Sequence, residues 1–213
     1  MLISHKVILW DFDGVLINSG AVRDLGFEQV LADYPAKHVT ELMNYHQANG
    51  GLSRYVKFRY FFEQILKQKV TDVQVQNLAK SFSEIMHELL VNPDLLIADS
   101  LHFAKEYHLK REMHIVSGSD QIELRYLCNQ LNIDQYFKTI NGSPTPKTAL
   151  VKNLLKNLDY KPEDVVLIGD SINDYEAAED NGIKFIGYNN IELKKISSNY
   201  ITSFSQLNFS YKM

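Results

Sequence analysis

The sequence predicts an α/β fold: a doubly wound, Rossmann-like parallel sheet carrying an inserted α-helical unit. Three observations predict it. Short apolar runs at residues 7–10 (Val-Ile-Leu-Trp), 113–116 (Met-His-Ile-Val), 165–168 (Val-Val-Leu-Ile) and 184–187 (Lys-Phe-Ile-Gly) each end in small or acidic residues. Such runs suit strands buried on both faces. Helical patterns at 93–107, 120–132, 148–158 and 174–181 alternate with them, the last closed by Gly182, and strands alternating with helices give a parallel sheet. Residues 19–92 break the rhythm with aromatic-rich amphipathic spacing and no clear buried strand.

The expected organisation is therefore an α/β core from residues 1–18 and 93–213, with a compact helical insertion at 19–92. A chain of 213 residues with 45% hydrophobic content buries a full core. Its net charge of −4, with Lys and Arg scattered, argues against nucleic-acid binding. The one cysteine, Cys128, allows no intramolecular disulfide and reads as a buried thiol in a reducing, cytoplasmic setting. The apolar run 7–10 is too short for a signal peptide or a membrane span. The expected protein is a monomer or homodimer with no membrane or nucleic-acid partner. Residues 189–213, with Phe204 and Leu207, form a final packing element.

Polar clusters close the apolar runs, and in open parallel sheets ligands bind beyond the C-terminal strand ends. Asp11 and Asp13 lie two positions apart as the first strand runs out, so both carboxylates can project to one side, and Gly14 permits a sharp turn. One carboxylate can attack phosphorus while its neighbour, held protonated, donates to the leaving oxygen and later deprotonates water. Two carboxylates repel a phosphate dianion, so a divalent cation and a positive side chain must complete the site, Mg²⁺ being the natural choice. Asp170 supplies a further carboxylate, Lys147 the positive charge, and Ser117 with Gly118 a hydroxyl and an amide for phosphoryl oxygens.

This ordered set resembles the haloacid dehalogenase superfamily, with the insertion in the position of a C1-type helical cap, as in phosphoglycolate phosphatases and β-phosphoglucomutases. Asp11-Phe12-Asp13-Gly14-Val15-Leu16 resembles the first motif of that family, Ile115-Val116-Ser117-Gly118 the second, Lys147 the third, and Gly169-Asp170-Ser171-Ile172-Asn173-Asp174 the fourth. The resemblance implies an aspartyl-phosphate on Asp11, Asp13 as general acid and base, and Mg²⁺ held by Asp11, Asp170 and the Asp13 carbonyl. It implies that Ser117 and Lys147 hold the phosphoryl group, while Asn173 and Asp174 orient the metal shell or Lys147. Lys147 is followed by Thr148 where many relatives have proline.

Within the insertion, Ser53 caps a helix whose Arg54 and Lys57 face the site and read the substrate remote from its phosphate. The run Gly51-Leu52-Ser53-Arg54 is similar to the cap element of β-phosphoglucomutases, favouring a sugar-phosphate-like substrate. Phe58, Tyr60, Phe61 and Phe62 read as core of the insertion. Arg23, Tyr45 and His46 could line the cleft, and of these only His46 is kept as a candidate. The expected activity is hydrolysis of a small phosphate ester. A phosphomutase is the alternative, although the mutase form resembles Glu-Asp where this chain has Gly169-Asp170. A dehalogenase would leave Asp13 without a task, and a catalytically silent binding protein would be expected to lose charged site residues.

Overall fold

The computed structural model describes residues 2–3 and 5–209, with side chains described for 5–207. Its elements in chain order are β1 (Leu2–Ile3), β2 (Val7–Trp10), α1 (Gly20–Val30), α2 (Ala36–Ala48), α3 (Arg54–Tyr60), α4 (Asp72–Leu89), α5 (Ala98–Tyr107), β3 (Glu112–Asp120), α6 (Gln121–Gln130), β4 (Thr139–Ser143), α7 (Lys147–Asn157), β5 (Val165–Gly169), α8 (Ile172–Asp180), β6 (Lys184–Tyr188), β7 (Tyr200–Ile201) and β8 (Asn208–Phe209).

Strands β2 to β7 form one parallel sheet in the order β4-β3-β2-β5-β6-β7, and β1 pairs with β8 in a separate parallel ladder. The sheet grows outward in both directions from β2, so the winding reverses between β2 and β5, and the crevice beyond their C-terminal ends is where such folds take ligands. Alternation within each strand explains the unbroken apolar runs. Ile8, Trp10, Val166 and Ile168 face α5 and α6, whereas Val7, Leu9, Val165 and Leu167 face α7 and α8. Each strand is buried on both sides, which requires apolar residues at every position.

The four helices α1 to α4 precede β3 and share an apolar core built on Phe27, Phe58, Phe61, Phe82 and Met86. Phe27 is the hub, its ring centroid 5.4 Å from Phe58 and 4.6 Å from Phe82. After α3 the chain widens into a π-helical turn, Phe61–Ile65. Two extended segments tie this unit to the sheet: Asn18 N donates to Leu95 O at 2.7 Å and Ile97 N to Leu16 O at 3.0 Å.

That link corrects the helix expected at 93–107. Pro93–Leu95 is a 3₁₀ turn and the helix starts only at Ala98, because the backbone of 95–97 is drawn into pairing with 16–18. Strand β4 is a further departure: Thr-Ile-Asn-Gly-Ser is not an apolar run, since an edge strand has one flank to bury. Strand β3 also runs on through Asp120, which caps α6 by accepting from the amides of Ile122 and Glu123. Near the C-terminus Phe204 stacks on Trp10 with centroids 5.3 Å apart, closing the sheet face. Cys128 is fully buried, and burial pushes its thiol pKa up. Among the described residues no helix is long and apolar enough to cross a membrane.

Candidate active site

The C-terminal ends of β2, β3 and β5 meet the start of α7 in one place. Asp11 follows β2 and hydrogen-bonds through its amide to Ile168 O at 2.9 Å, which ties it to the neighbouring strand. Gly14 takes φ +72°, closing the turn that swings Asp13 back over the sheet edge. Lys147, the first residue of α7, is buried with Nζ 2.9 Å from Asp11 Oδ1 and in contact with Asp174 Oδ1. Burial alone would lower the pKa of this amine, but the two carboxylates outweigh it and hold the charge in place.

Asp174 is committed at both oxygens, since Oδ2 accepts from Ser171 N at 3.0 Å and Ser171 Oγ at 2.6 Å in a capping box at the start of α8. Asp11, Asp170 and Asp174 place carboxylate oxygens within 4.8 Å of one another. No described hydrogen bond or ion pair reaches the Asp170 carboxylate. Burial and the charges of Asp11 and Asp174 raise its pKa well above the usual range. Burial and Asp174 likewise push Asp11 up to about 7 against the pull of Lys147. A crowded acidic pair with all-oxygen donors fits a hard divalent cation such as Mg²⁺.

Asp13 has a different environment from the one expected. It accepts from Ser19 Oγ at 2.5 Å, Arg23 Nε at 2.6 Å and Ser119 Oγ at 2.5 Å. Burial alone would raise its pKa, but Arg23 and the donated hydrogen bonds outweigh that and keep it ionised. The expectation of a carboxyl held protonated is corrected for this arrangement, because the Arg23 guanidinium and two serine hydroxyls donate to it and favour the anion. Arg23 also donates from Nη1 to Glu123 Oε1 at 3.0 Å and from Nη2 to Ser119 Oγ at 2.8 Å. Glu123 is 0% exposed and spends its other oxygen on Arg54 Nη1 at 2.7 Å. One buried carboxylate on α6 thus joins two arginines of the helical unit. Nothing in the local sequence marks Glu123, whose partners lie 100 and 69 positions away.

A cavity of 320 Å³ connects the two parts, lined by Asp11, Asp13, Ser117, Gly118 and Asp170 from the sheet and by His46, Arg54 and Lys57 from the helices. Lys147, Asn173 and Asp174 stand behind this lining. The loop 50–52 closes over the sheet: a Cβ on Gly118 would lie 3.0 Å from Gly51 C, and one on Gly51 would lie 2.9 Å from Asn173 Cβ. The two glycines permit that approach. His46, the candidate kept from the helices, is buried with Nε2 3.1 Å from Asp24 Oδ1 and Nδ1 2.7 Å from Lys57 Nζ.

The family model described as haloacid dehalogenase-like hydrolase matches residues 8–188. A phosphoglycolate phosphatase of Aquifex aeolicus is 26% identical over 193 residues, covering 84% of this chain and 82% of that protein. Among solved structures, β-phosphoglucomutase from Clostridium difficile superposes with a TM-score of 0.75 at 16% identity, covering 97% of this chain and 95% of the other. CbbY from Rhodobacter sphaeroides in complex with phosphate gives 0.74 at 16% identity, covering 96% and 97%. At those identities the structural likeness concerns the fold.

Proposed function

The chain belongs to the haloacid dehalogenase-like hydrolase family, and on that premise we propose that it is a Mg²⁺-dependent phosphatase of small phosphorylated metabolites working through an aspartyl-phosphate on Asp11. The observation that carries this reading is the buried ammonium of Lys147, fixed 2.9 Å from Asp11 and locked there by Asp174. A cation so placed neutralises charge developing on a transferring phosphoryl group, and it needs no reorganisation when the reaction begins.

Asp11 attacks phosphorus as the bond to the ester oxygen breaks. Ser117 and the Gly118 amide, which line the same cavity, hold phosphoryl oxygens. The leaving oxygen takes a proton from Asp13. Asp13, held ionised by Arg23 in the free protein, takes up that proton from solvent as the substrate binds. Asp13 next takes a proton from water as that water attacks the acyl phosphate, releasing inorganic phosphate and restoring Asp11. Mg²⁺ would be held by Asp11, Asp170 and the Asp13 carbonyl, where it would keep Asp11 ionised and offset the dianion's charge.

Hydrolysis ranks above phosphomutase activity on a specific contact. A side chain at position 169 would lie 2.5 Å from Asp174 Oδ2, so the glutamate of the mutase form does not fit beside the carboxylate that locks Lys147. Purified protein is expected to release phosphate from members of a phosphorylated-metabolite panel with Mg²⁺, and to stop doing so with chelator or as Asp11→Asn. Full activity in Asp11→Asn refutes the mechanism. Isomerisation of a hexose phosphate without phosphate release reverses the ranking.

A further inference from the structure

Three cations of the helical unit border the cavity, and they are not equivalent. Arg23 is paired with Asp13 and Glu123. Arg54 is 4% exposed, paired with Glu123, hydrogen-bonded to Ser83 Oγ at 2.7 Å, and lies 4.5 Å over the Phe82 ring. Lys57 is 2% exposed and has no carboxylate within ion-pair distance among the described residues. Its Nζ meets only His46 Nδ1 at 2.7 Å, the Gly50 carbonyl at 3.2 Å and, at 5.8 Å, the Phe27 ring.

The histidine is arranged for that amine. An ammonium has no lone pair, so Nδ1 must accept and the ring proton sits on Nε2, the side that faces Asp24 at 3.1 Å. Burial and the charges of Lys57 and Arg23 lower His46 to about 3, which keeps the ring neutral. A buried amine supported by a neutral imidazole and a carbonyl, on the wall of a cavity, lacks its anion. Arg23 and Asp24 face it from α1, the neutral His46 from α2, Arg54 from its own helix, and Asp13 from the end of β2. Burial, with Arg23 and Arg54, lowers its pKa to about 7 against the opposing pull of Asp13 and Asp24.

Resting on the phosphatase reading, we propose that Lys57, backed by His46 and Asp24, is the specificity-determining residue that recognises a second anionic group on the substrate. An anion arriving at the amine stabilises the ammonium over the free base. The charge on Lys57 Nζ is then met by the ligand and not by the protein. Arg54 also lines the wall: its Nη1 is paired with Glu123, while its buried Nη2 has no hydrogen-bond partner among the described residues and can assist Lys57. The chemistry required of the ligand is a carboxylate or a second phosphate, within reach of the transferred phosphoryl group inside one cavity.

The test compares matched esters with the full-length Mg²⁺-loaded protein: glycolate 2-phosphate against 2-hydroxyethyl phosphate, and glucose 1,6-bisphosphate against glucose 1-phosphate. The ratio of kcat/KM within a pair is expected to favour the partner carrying the second anionic group in the wild type and to fall as pH rises through about 7. In Lys57→Met that ratio should drop by roughly tenfold or more, the scale of a lost charge-assisted contact. Lys57→Arg should keep the preference and lose its pH dependence. Ratios unchanged by Lys57→Met in both pairs overturn the inference. So does an equal loss on both members of each pair. A wild type that hydrolyses no ester of a wide panel instead refutes the phosphatase reading itself.

Discussion

Replacing Gly14 by alanine tests how the turn after β2 builds the cation site. A Cβ at this position would lie 2.6 Å from Cγ of Asp170 and nearer still to its Oδ2. Ordinary carbon contacts lie near 3.5 Å, so the carboxylate must retreat by about 1 Å. The backbone adds a second cost, because φ is +72° and a side chain there is strained by about 1–2 kcal/mol. For a chain of this size that corresponds to a fall in Tm of roughly 2–8 °C. The catalytic effect should be larger than the structural one. A displacement of about 1 Å at a reacting centre costs on the order of 100-fold in rate, and the loss should appear as a higher Mg²⁺ requirement together with lower kcat. Thermal scans establish that Gly14→Ala is folded, and phosphate release titrated with Mg²⁺ reads the site. Native kcat/KM with an unchanged Mg²⁺ half-saturation would refute the reasoning.

Two further predictions concern buried charge. Glu123→Ala leaves Arg23 and Arg54 without the carboxylate they share, and stranding buried charges costs about 3–5 kcal/mol. Tm should fall by roughly 10 °C, and a fall below about 2 °C would show that the network carries no stability. His114 is fully buried between Thr139 and Tyr160, and burial lowers its pKa to about 4 from 6.5. A depressed histidine pKa means that the folded state binds fewer protons than the unfolded one. Its stabilisation is intact above pH 6.5 and is lost as pH falls toward 4. Between pH 7 and pH 5 this residue's share of the loss is about 2 kcal/mol. His114→Gln should flatten the urea-unfolding stability over that interval by that amount, and an unchanged slope sinks the assignment.

Much of the fold was legible in the order of residues. A strand buried on both faces needs apolar side chains at every position, so β2 and β5 announced themselves, and the acidic residues that end them fell at the winding reversal. Edge strand β4 was silent because half burial leaves no unbroken apolar run. The helix boundary near Ala98 was misplaced because pairing of 95–97 with 16–18 competes with local helical propensity.

The candidate site divides along the same line. By itself the sequence determined which groups stand at the strand ends, because Asp11, Asp13, Ser117, Gly118 and Asp170 follow short apolar runs that dictate where the chain emerges. Tertiary structure alone decided the electrostatic state of those groups. Arg23 reaches Asp13 from α1, Glu123 pins Arg23 from 100 positions away, and Lys57 is left with a neutral histidine for company. Ionisation depends on burial and on charges within a few ångströms, and those distances exist only after α1, α3 and α6 have packed together.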